Sequence, residues 1–131
     1  MTAYSKLPAG VLRIPTTTIE AEHTKLTEIL SGTVVKRLAI TEPRTAFKSR
    51  MHRHLRRDDY IYVLSGEVSL KIYDGTHHAT IPVTPKGDVI MVPKGIFHGY
   101  ETGTEKTIIL EASSEAFDPH DTEELHGEDP L

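Results

Sequence analysis

The residues with the clearest chemical potential are two histidines separated by one residue, His52 and His54. Side chains two positions apart on a β-strand point to the same face, so both imidazoles could bind one ion. If Asp59 points inward from the following strand, its carboxylate joins them, and the adjacent Asp58 then points away. A third imidazole, His98, follows a Pro-x-Gly turn far along the chain.

Three neutral nitrogens and one oxygen form a ligand set that suits a divalent transition metal, with positions left for water or substrate. The candidate ions are Fe(II), Mn(II), Ni(II), Co(II) and Zn(II), held by His52, His54, Asp59 and His98. The chain has no cysteine, so a thiolate ligand is excluded. The alternative is that these residues are a solvated polar stretch. The other histidines lie in turns or polar segments and are predicted to be exposed: His23, His77, His78, His120 and His126.

The elements that must position these residues are predicted to be strands. Short apolar segments rich in β-branched and aromatic residues recur between turn residues. They are residues 33–40, 60–64, 67–73, 78–83, 88–92 and 107–112. Only residues 18–31 have a helix-like composition. Many short strands at even spacing predict an all-β sandwich or barrel.

Length and composition limit the function classes. A chain of 131 residues is predicted to form a single domain, with its core at 33–112 and an acidic tail at 113–131. The formal net charge of −4 disfavours nucleic-acid binding. No stretch approaches the roughly 20 apolar residues of a membrane span, and the N-terminus lacks the apolar segment of a signal peptide. We therefore expect a cytoplasmic protein that acts on a small molecule.

Charge is unevenly distributed along the chain. Six basic residues lie between positions 44 and 57, whereas the segment from 111 to the end has many acidic residues and no Lys or Arg. The basic segment could line a pocket for an anion, or it could pair with the acidic tail of this chain or of a partner subunit. We expect the tail itself to be a solvated acidic terminus.

The histidines belong to two sequence motifs that resemble those of the cupin superfamily. The first motif corresponds to His52, His54, Asp59 and Gly66, without the usual leading glycine, and the second to Gly87, Pro93, Gly95 and His98, with every spacing kept. The resemblance implies a double-stranded β-helix, a jelly-roll barrel with the site in its mouth. Cupins usually have glutamate at the position of Asp59, so the shorter side chain must reach an ion from a closer strand or through water. A cupin without the metal would use its histidines for binding or acid–base chemistry.

The C-terminal half is similar to one group of cupins, the dTDP-4-dehydrorhamnose 3,5-epimerases. The matching positions are Pro93, Gly95, His98, Gly99, Tyr100, Phe117, Asp118, Pro119, Asp129 and Pro130. The similarity implies that His52 is the base that removes the proton next to a keto group. The basic segment would suit the pyrophosphate of a nucleotide sugar, with Arg44, Lys48 and Arg50 as the binding cations.

Two positions depart from the epimerase pattern. A lysine that stabilises the enolate falls at Asp59, which has the opposite charge, and a tyrosine that acts as the acid falls near Glu111. A metal in the predicted site could replace that lysine as a Lewis acid, with Tyr100 or Glu111 as the proton-transfer group. The leading hypothesis is therefore a metal-dependent isomerase or epimerase acting on a carbonyl-bearing, sugar-like molecule.

Two alternatives remain open. Two histidines and a carboxylate are also the ligand set of Fe(II)-dependent dioxygenases, and the fold could equally serve a non-catalytic module that binds a small anion or sugar. For the assembly we predict a homodimer in which residues 8–16 form an exchanged edge strand.

Overall fold

The structure, a computed structural model, describes residues 5–44 and 46–126. These residues form strands in the order β1 (Ser5–Lys6), β2 (Leu12–Ile14), β3 (Thr17–Glu20), β4 (Lys25–Glu28), β5 (Arg37–Thr41), β6 (His52–His54), β7 (Asp59–Ser65), β8 (Val68–Tyr73), β9 (His78–Val83), β10 (Val89–Val92), β11 (Phe97–Thr102), β12 (Ile108–Ser113) and β13 (Thr122–Glu124). A 3₁₀ turn at Pro8–Gly10 precedes β2. The predicted all-β jelly-roll barrel is confirmed. The predicted Asp-Pro step at 129–130 lies outside the described residues.

Two antiparallel sheets face each other across the core. The first has the strand order β1-β2-β10-β7-β12-β5, and the second has the order β13-β6-β11-β8-β9. Their inner faces bury one apolar cluster, formed by Val11, Ile61, Val63, Val68, Leu70, Ile72, Ile81, Val83, Ile90, Val92 and Ile109. Since strand side chains alternate between faces, the burial of Ile61 and Val63 places Asp59 on the inner face as well.

Residues 18–31 contain a β-hairpin, so the helix-like interpretation of this segment is wrong. β3 pairs with β4 in a register that sets Ile19 opposite Leu26, and all residues of both strands are exposed. Glu, Leu and Lys are good helix formers, which explains the error. Cross-strand pairing overrides that weak local preference. Within the described ranges, no helix is long and apolar enough to cross a membrane.

Both ends of the chain add strands to the barrel. β2 pairs with β10 of the same chain, so the segment predicted as an exchanged edge strand is already paired within one chain. β13 pairs with β6, with Glu123 opposite Arg53. Residues 122–124 of the tail are thus ordered as a strand, although Thr122 and Glu124 are exposed. The alternative, that the tail pairs with the basic segment, is confirmed within one chain.

Candidate active site

Four side chains singled out in the sequence converge at one end of the barrel. His98 on β11 lies directly opposite His52 on β6, and ring nitrogens of these two residues and His54 lie within 4.8 Å of one another. Asp59, at the start of β7, completes the group. Its Oδ2 lies 3.2 Å from Nε2 of His54 and 3.5 Å from Nε2 of His98. We call these four residues the histidine cluster.

Each imidazole of the cluster is fixed through its Nδ1 atom. The Nδ1 atoms donate to main-chain carbonyl oxygens: His52 to Arg50 at 3.1 Å, His54 to Asp121 at 3.0 Å and His98 to Ile96 at 3.0 Å. A carbonyl oxygen can only accept, so Nδ1 carries the proton in each ring. A neutral ring then presents the lone pair of Nε2 to the site. Metal-binding histidines are commonly oriented by the same kind of contact.

The acidic tail holds the end of β6 in place. Asp121 is only 3% exposed, and its Oδ1 accepts from the backbone nitrogens of Leu55 at 2.9 Å and Arg56 at 3.0 Å. Its carbonyl is also the oxygen that fixes His54. Arg53, the residue before His54, donates through its Nη2 to Glu123 on the paired strand at 2.8 Å. The tail therefore supports the site through the basic segment, the pairing that the sequence offered as an alternative to a solvated terminus.

A buried arginine outside the predicted site residues contacts the histidine cluster. Arg57, in the turn between β6 and β7, is 8% exposed. Its Nη2 lies 3.0 Å from Nε2 of His54, and its Nε lies 3.1 Å from Oδ1 of Asp59. Ser113 donates to the same carboxylate oxygen at 2.8 Å. The sequence did contain a signal, because Arg57 precedes Asp59 by two residues and so shares its face if the strand pattern continues backwards.

The electrostatic environment fixes the charge of two members of the cluster. Burial by itself would raise the pKa of the Asp59 carboxyl, but the imidazoles of His54 and His98 hold it well below its usual range. Asp59 is therefore a carboxylate at neutral pH. Burial, together with repulsion from His98, lowers the pKa of His52 from 6.5 to about 4. His52 is consequently neutral at pH 7 and can accept a proton.

Tyr100 and Glu111 lie on the inner faces of the two sheets, near enough for the charge of Glu111 to act on the phenol. Tyr100 follows His98 by two positions on β11 and packs against the apolar core. Glu111, on β12, accepts from Thr41 Oγ1 at 3.0 Å. Burial raises the pKa of Tyr100, and the charge of Glu111 raises it further. The phenol is therefore protonated at neutral pH and can act as a proton donor.

A glycine permits the close approach of the chain segment that leads into β6. A Cβ atom on Gly99 would lie 3.0 Å from Ser49 Oγ and 3.1 Å from Met51 Sδ. Ser49 Oγ accepts from the backbone nitrogen of Tyr100 at 2.8 Å. The Gly between His98 and Tyr100 thus lets residues 49–51 lie against β11 and brings β6 into register with it.

Of the three predicted substrate-binding cations, Arg50 is the one that lies beside the histidine cluster. Its side chain is exposed, and Nη1 lies 3.3 Å from Oε2 of Glu124. Lys48 forms a β-bridge with Glu101, whose carboxylate lies 3.4 Å from Nζ of Lys71. Residues opposite each other on paired strands share a face. Lys48 therefore lies on the outer face of its sheet.

The third predicted cation, Arg44, lies at the other end of the barrel. It lines a surface groove with residues 104–107, and Thr107 contacts Gly66 just after the end of β7. Asp59 stands at the opposite end of that strand. The structure thus does not bring Arg44 to the histidine cluster.

The five histidines predicted to be exposed are exposed in the structure: His23, His77, His78, His120 and His126.

Three solved structures share the fold, at low sequence identity. A dTDP-4-dehydrorhamnose 3,5-epimerase from Bacillus anthracis, with TDP and PPi bound, is 13% identical with a TM-score of 0.83, over 99% of this chain and 87% of that one. A 4-keto-6-deoxy sugar epimerase from Streptomyces spheroides is 14% identical with a TM-score of 0.82, over 99% and 76%. A 3,4-ketoisomerase mutant from Thermoanaerobacterium thermosaccharolyticum, in complex with TDP-4-keto-6-deoxyglucose, is 16% identical with a TM-score of 0.76, over 88% of both chains.

The sequence itself identifies the family. No curated protein sequence matches the chain. Residues 38–112, more than half of the chain, match the family profile described as Cupin domain. This segment runs from β5 to β12 and contains every member of the histidine cluster. The chain belongs to the cupin domain family.

Proposed function

We propose that the protein is an isomerase or epimerase that moves a proton next to the carbonyl group of a sugar-like small molecule. The observation that carries this proposal is the presence of a neutral base, His52, and a protonated acid, Tyr100, on two paired strands of one sheet. Among the described residues, Nε2 of His52 has no hydrogen-bond partner, and Tyr100 lies on the adjacent strand, two positions beyond His98. Proteins of the same fold act on keto sugars, which supports this substrate class.

The proposed chemistry uses the chain's own residues. His52 Nε2 takes a proton from the carbon next to the carbonyl, and the electrons of that C–H bond form an enolate. Tyr100 donates its proton to a carbon of the enolate, and Glu111 assists the return of a proton to the phenolate. For an epimerisation, Tyr100 protonates the opposite face of the first carbon and the carbonyl re-forms. For an isomerisation, Tyr100 protonates the former carbonyl carbon, the oxyanion takes the proton held by His52, and the hydroxyl on the first carbon returns its proton to the phenolate as it becomes the new carbonyl.

We propose Arg50 as the cation that binds a substrate phosphate. It is exposed, it lies two residues before His52, and its present partner is a carboxylate. A phosphate could therefore replace Glu124 without leaving a buried charge unpaired. Arg44 and Lys48 point to other parts of the surface, so they would contact only an extended substrate.

The donor atoms of the cluster are of the kind that a divalent transition metal binds. The position of Arg57 next to two of those donors opposes metal binding. His52, His54 and His98 would hold the ion, which would supply Lewis acidity to a carbonyl oxygen. Arg57, however, donates to the lone pair of His54 that the ion would need and pairs with Asp59. As arranged, the site does not fit a metal, and the steps proposed above use none.

Turnover of a nucleotide-linked keto sugar tests the proposal. We expect the protein to convert TDP-4-keto-6-deoxyglucose, or a related 4-keto sugar, into an isomer that proton NMR detects. The His52→Asn variant should be inactive, whereas His77→Asn, which changes an exposed histidine, should be as active as the parent. Oxygen uptake would instead favour a dioxygenase, and binding without turnover would favour a binding module. Either result would contradict the proposal.

For the assembly we propose a homodimer. β5 is the edge strand of the six-stranded sheet, and its Leu38 and Ile40 expose apolar surface that a second copy would cover. A dilution series in sedimentation should show dimer mass. The Leu38→Lys variant should shift the equilibrium towards monomer. Monomer mass for the parent at every concentration would refute the homodimer.

A further inference from the structure

The cation in the histidine cluster belongs to the protein itself. Arg57 is buried. A buried arginine side chain usually has a paired charge. One edge of its guanidinium faces both the imidazole of His54 and the carboxylate of Asp59. Its Nε and Nη1 atoms are buried and make no hydrogen bond among the described residues, so the contact of Nε with Asp59 is an ion pair without hydrogen-bond geometry. Such an incomplete set of contacts for a buried charge calls for a functional explanation.

The contacts of the guanidinium are those that a metal would otherwise make. A guanidinium offers only donors, so a contact of 3.0 Å to His54 Nε2 uses the lone pair of that nitrogen. Nδ1 of His54 already donates to a carbonyl oxygen, so in a neutral ring Nε2 can only accept. Of its two close neighbours, Arg57 Nη2 at 3.0 Å and Asp59 Oδ2 at 3.2 Å, only the guanidinium nitrogen can donate to it. The charge of Asp59 is likewise matched by Arg57, at 3.1 Å.

We infer that Arg57 takes the place of a metal ion in this site. Its positive charge would repel a divalent cation, and two of the four donor residues are already occupied by its nitrogens. The site is thus a complete set of metal ligands that the chain keeps closed with its own cation. Removal of that cation would leave His52, His54, Asp59 and His98 free to bind a metal. The inference concerns the same site but does not depend on which substrate the protein uses.

Metal titration of three proteins tests the inference. Wild-type protein, Arg57→Gln and Arg56→Gln would be titrated with Ni²⁺ in a calorimeter at neutral pH, after circular dichroism has shown that each is folded. Arg56→Gln is the matched control, because it removes the same charge at the next position, and Arg56 is exposed and pairs with Asp118 instead of the cluster. We expect Arg57→Gln to bind one equivalent roughly 10- to 100-fold more tightly than the other two.

The site of the new binding is checked by a double variant. Adding His52→Ala to Arg57→Gln should remove the gain in affinity. Equal Ni²⁺ affinity of wild type and Arg57→Gln would overturn the inference. If Arg57→Gln does not fold, Ni²⁺ binding by the wild type and by His52→Ala tests the inference. Tight binding of one Ni²⁺ by the wild type that His52→Ala abolishes would overturn the inference. Weak Ni²⁺ binding that His52→Ala does not change would support it. No substrate is present, so this result is independent of the proposed isomerase activity.

Discussion

The buried carboxylate of Asp121 provides the sharpest test of how the tail supports the site. It accepts from the backbone nitrogens of Leu55 and Arg56. The Asp121→Ala variant leaves both donors without that acceptor, and a hydrogen bond to a charged group contributes about 1.5 to 3 kcal/mol when it is well formed. Because both donors are only partly buried and water can replace some of the interaction, we expect a loss of about 2 to 4 kcal/mol in the free energy of unfolding.

Urea denaturation followed by circular dichroism measures this loss. Asp121→Asn keeps an acceptor oxygen in place, so we expect it to lose only about 1 kcal/mol. Asp118→Ala is the matched control, since Asp118 pairs with the exposed Arg56, and we expect it to lose less than about 1 kcal/mol. If Asp121→Ala is as stable as Asp118→Ala, the tail does not hold the end of β6 in the way described.

Three further predictions concern other parts of the barrel. Burial lowers the pKa of His52 to about 4 in the folded protein, against 6.5 in the unfolded chain. As the pH falls from 6.5 to 4, the unfolded chain therefore binds a proton on His52 that the folded protein does not. Stability should therefore fall by up to roughly 3 kcal/mol across that range, and urea denaturation of His52→Gln should show a smaller fall. Gly66→Ala should lose about 3 kcal/mol or more in the same assay, because Gly66 has φ +89° and a Cβ would lie 2.7 Å from Thr107 Cα. Gly75→Ala, with φ +102° and open space around it, should lose only about 1 kcal/mol. Tyr100→Phe should lower kcat for a keto sugar by roughly 100-fold or more without unfolding the protein; unchanged kcat would remove Tyr100 from the mechanism.

Local patterns in the sequence predict much of the barrel. The predicted strand at 78–83 coincides with β9, and five more predicted strands overlap β5, β7, β8, β10 and β12. The two-residue period of a strand also accounts for the shared face of His52 and His54 and for the inner position of Asp59. These features depend on neighbours in the sequence, so they can be read without knowledge of the fold.

The remaining parts of the site depend on contacts between distant residues. β13 has no apolar pattern, and it is held by ion pairs and backbone pairing to β6, about 70 positions earlier. The carbonyl that fixes His54 comes from the same distant segment. Arg57 is one of six basic residues between positions 44 and 57, and only its spacing of two residues from Asp59 indicates that it turns inward. Arg44 belongs to the same basic segment but lies at the other end of the barrel, because the sequence does not show how the chain folds between this residue and His52.

The measurement that tests the central claim most directly is the exchange of a substrate proton with solvent deuterium. TDP-4-keto-6-deoxyglucose would be incubated in D₂O with wild-type protein or with His52→Gln, and proton NMR would follow the signals of the carbons next to the carbonyl. If His52 is the base, one of these signals disappears with the wild type and persists with His52→Gln. Equal rates of exchange with both proteins, above the rate without protein, would show that another group removes the proton.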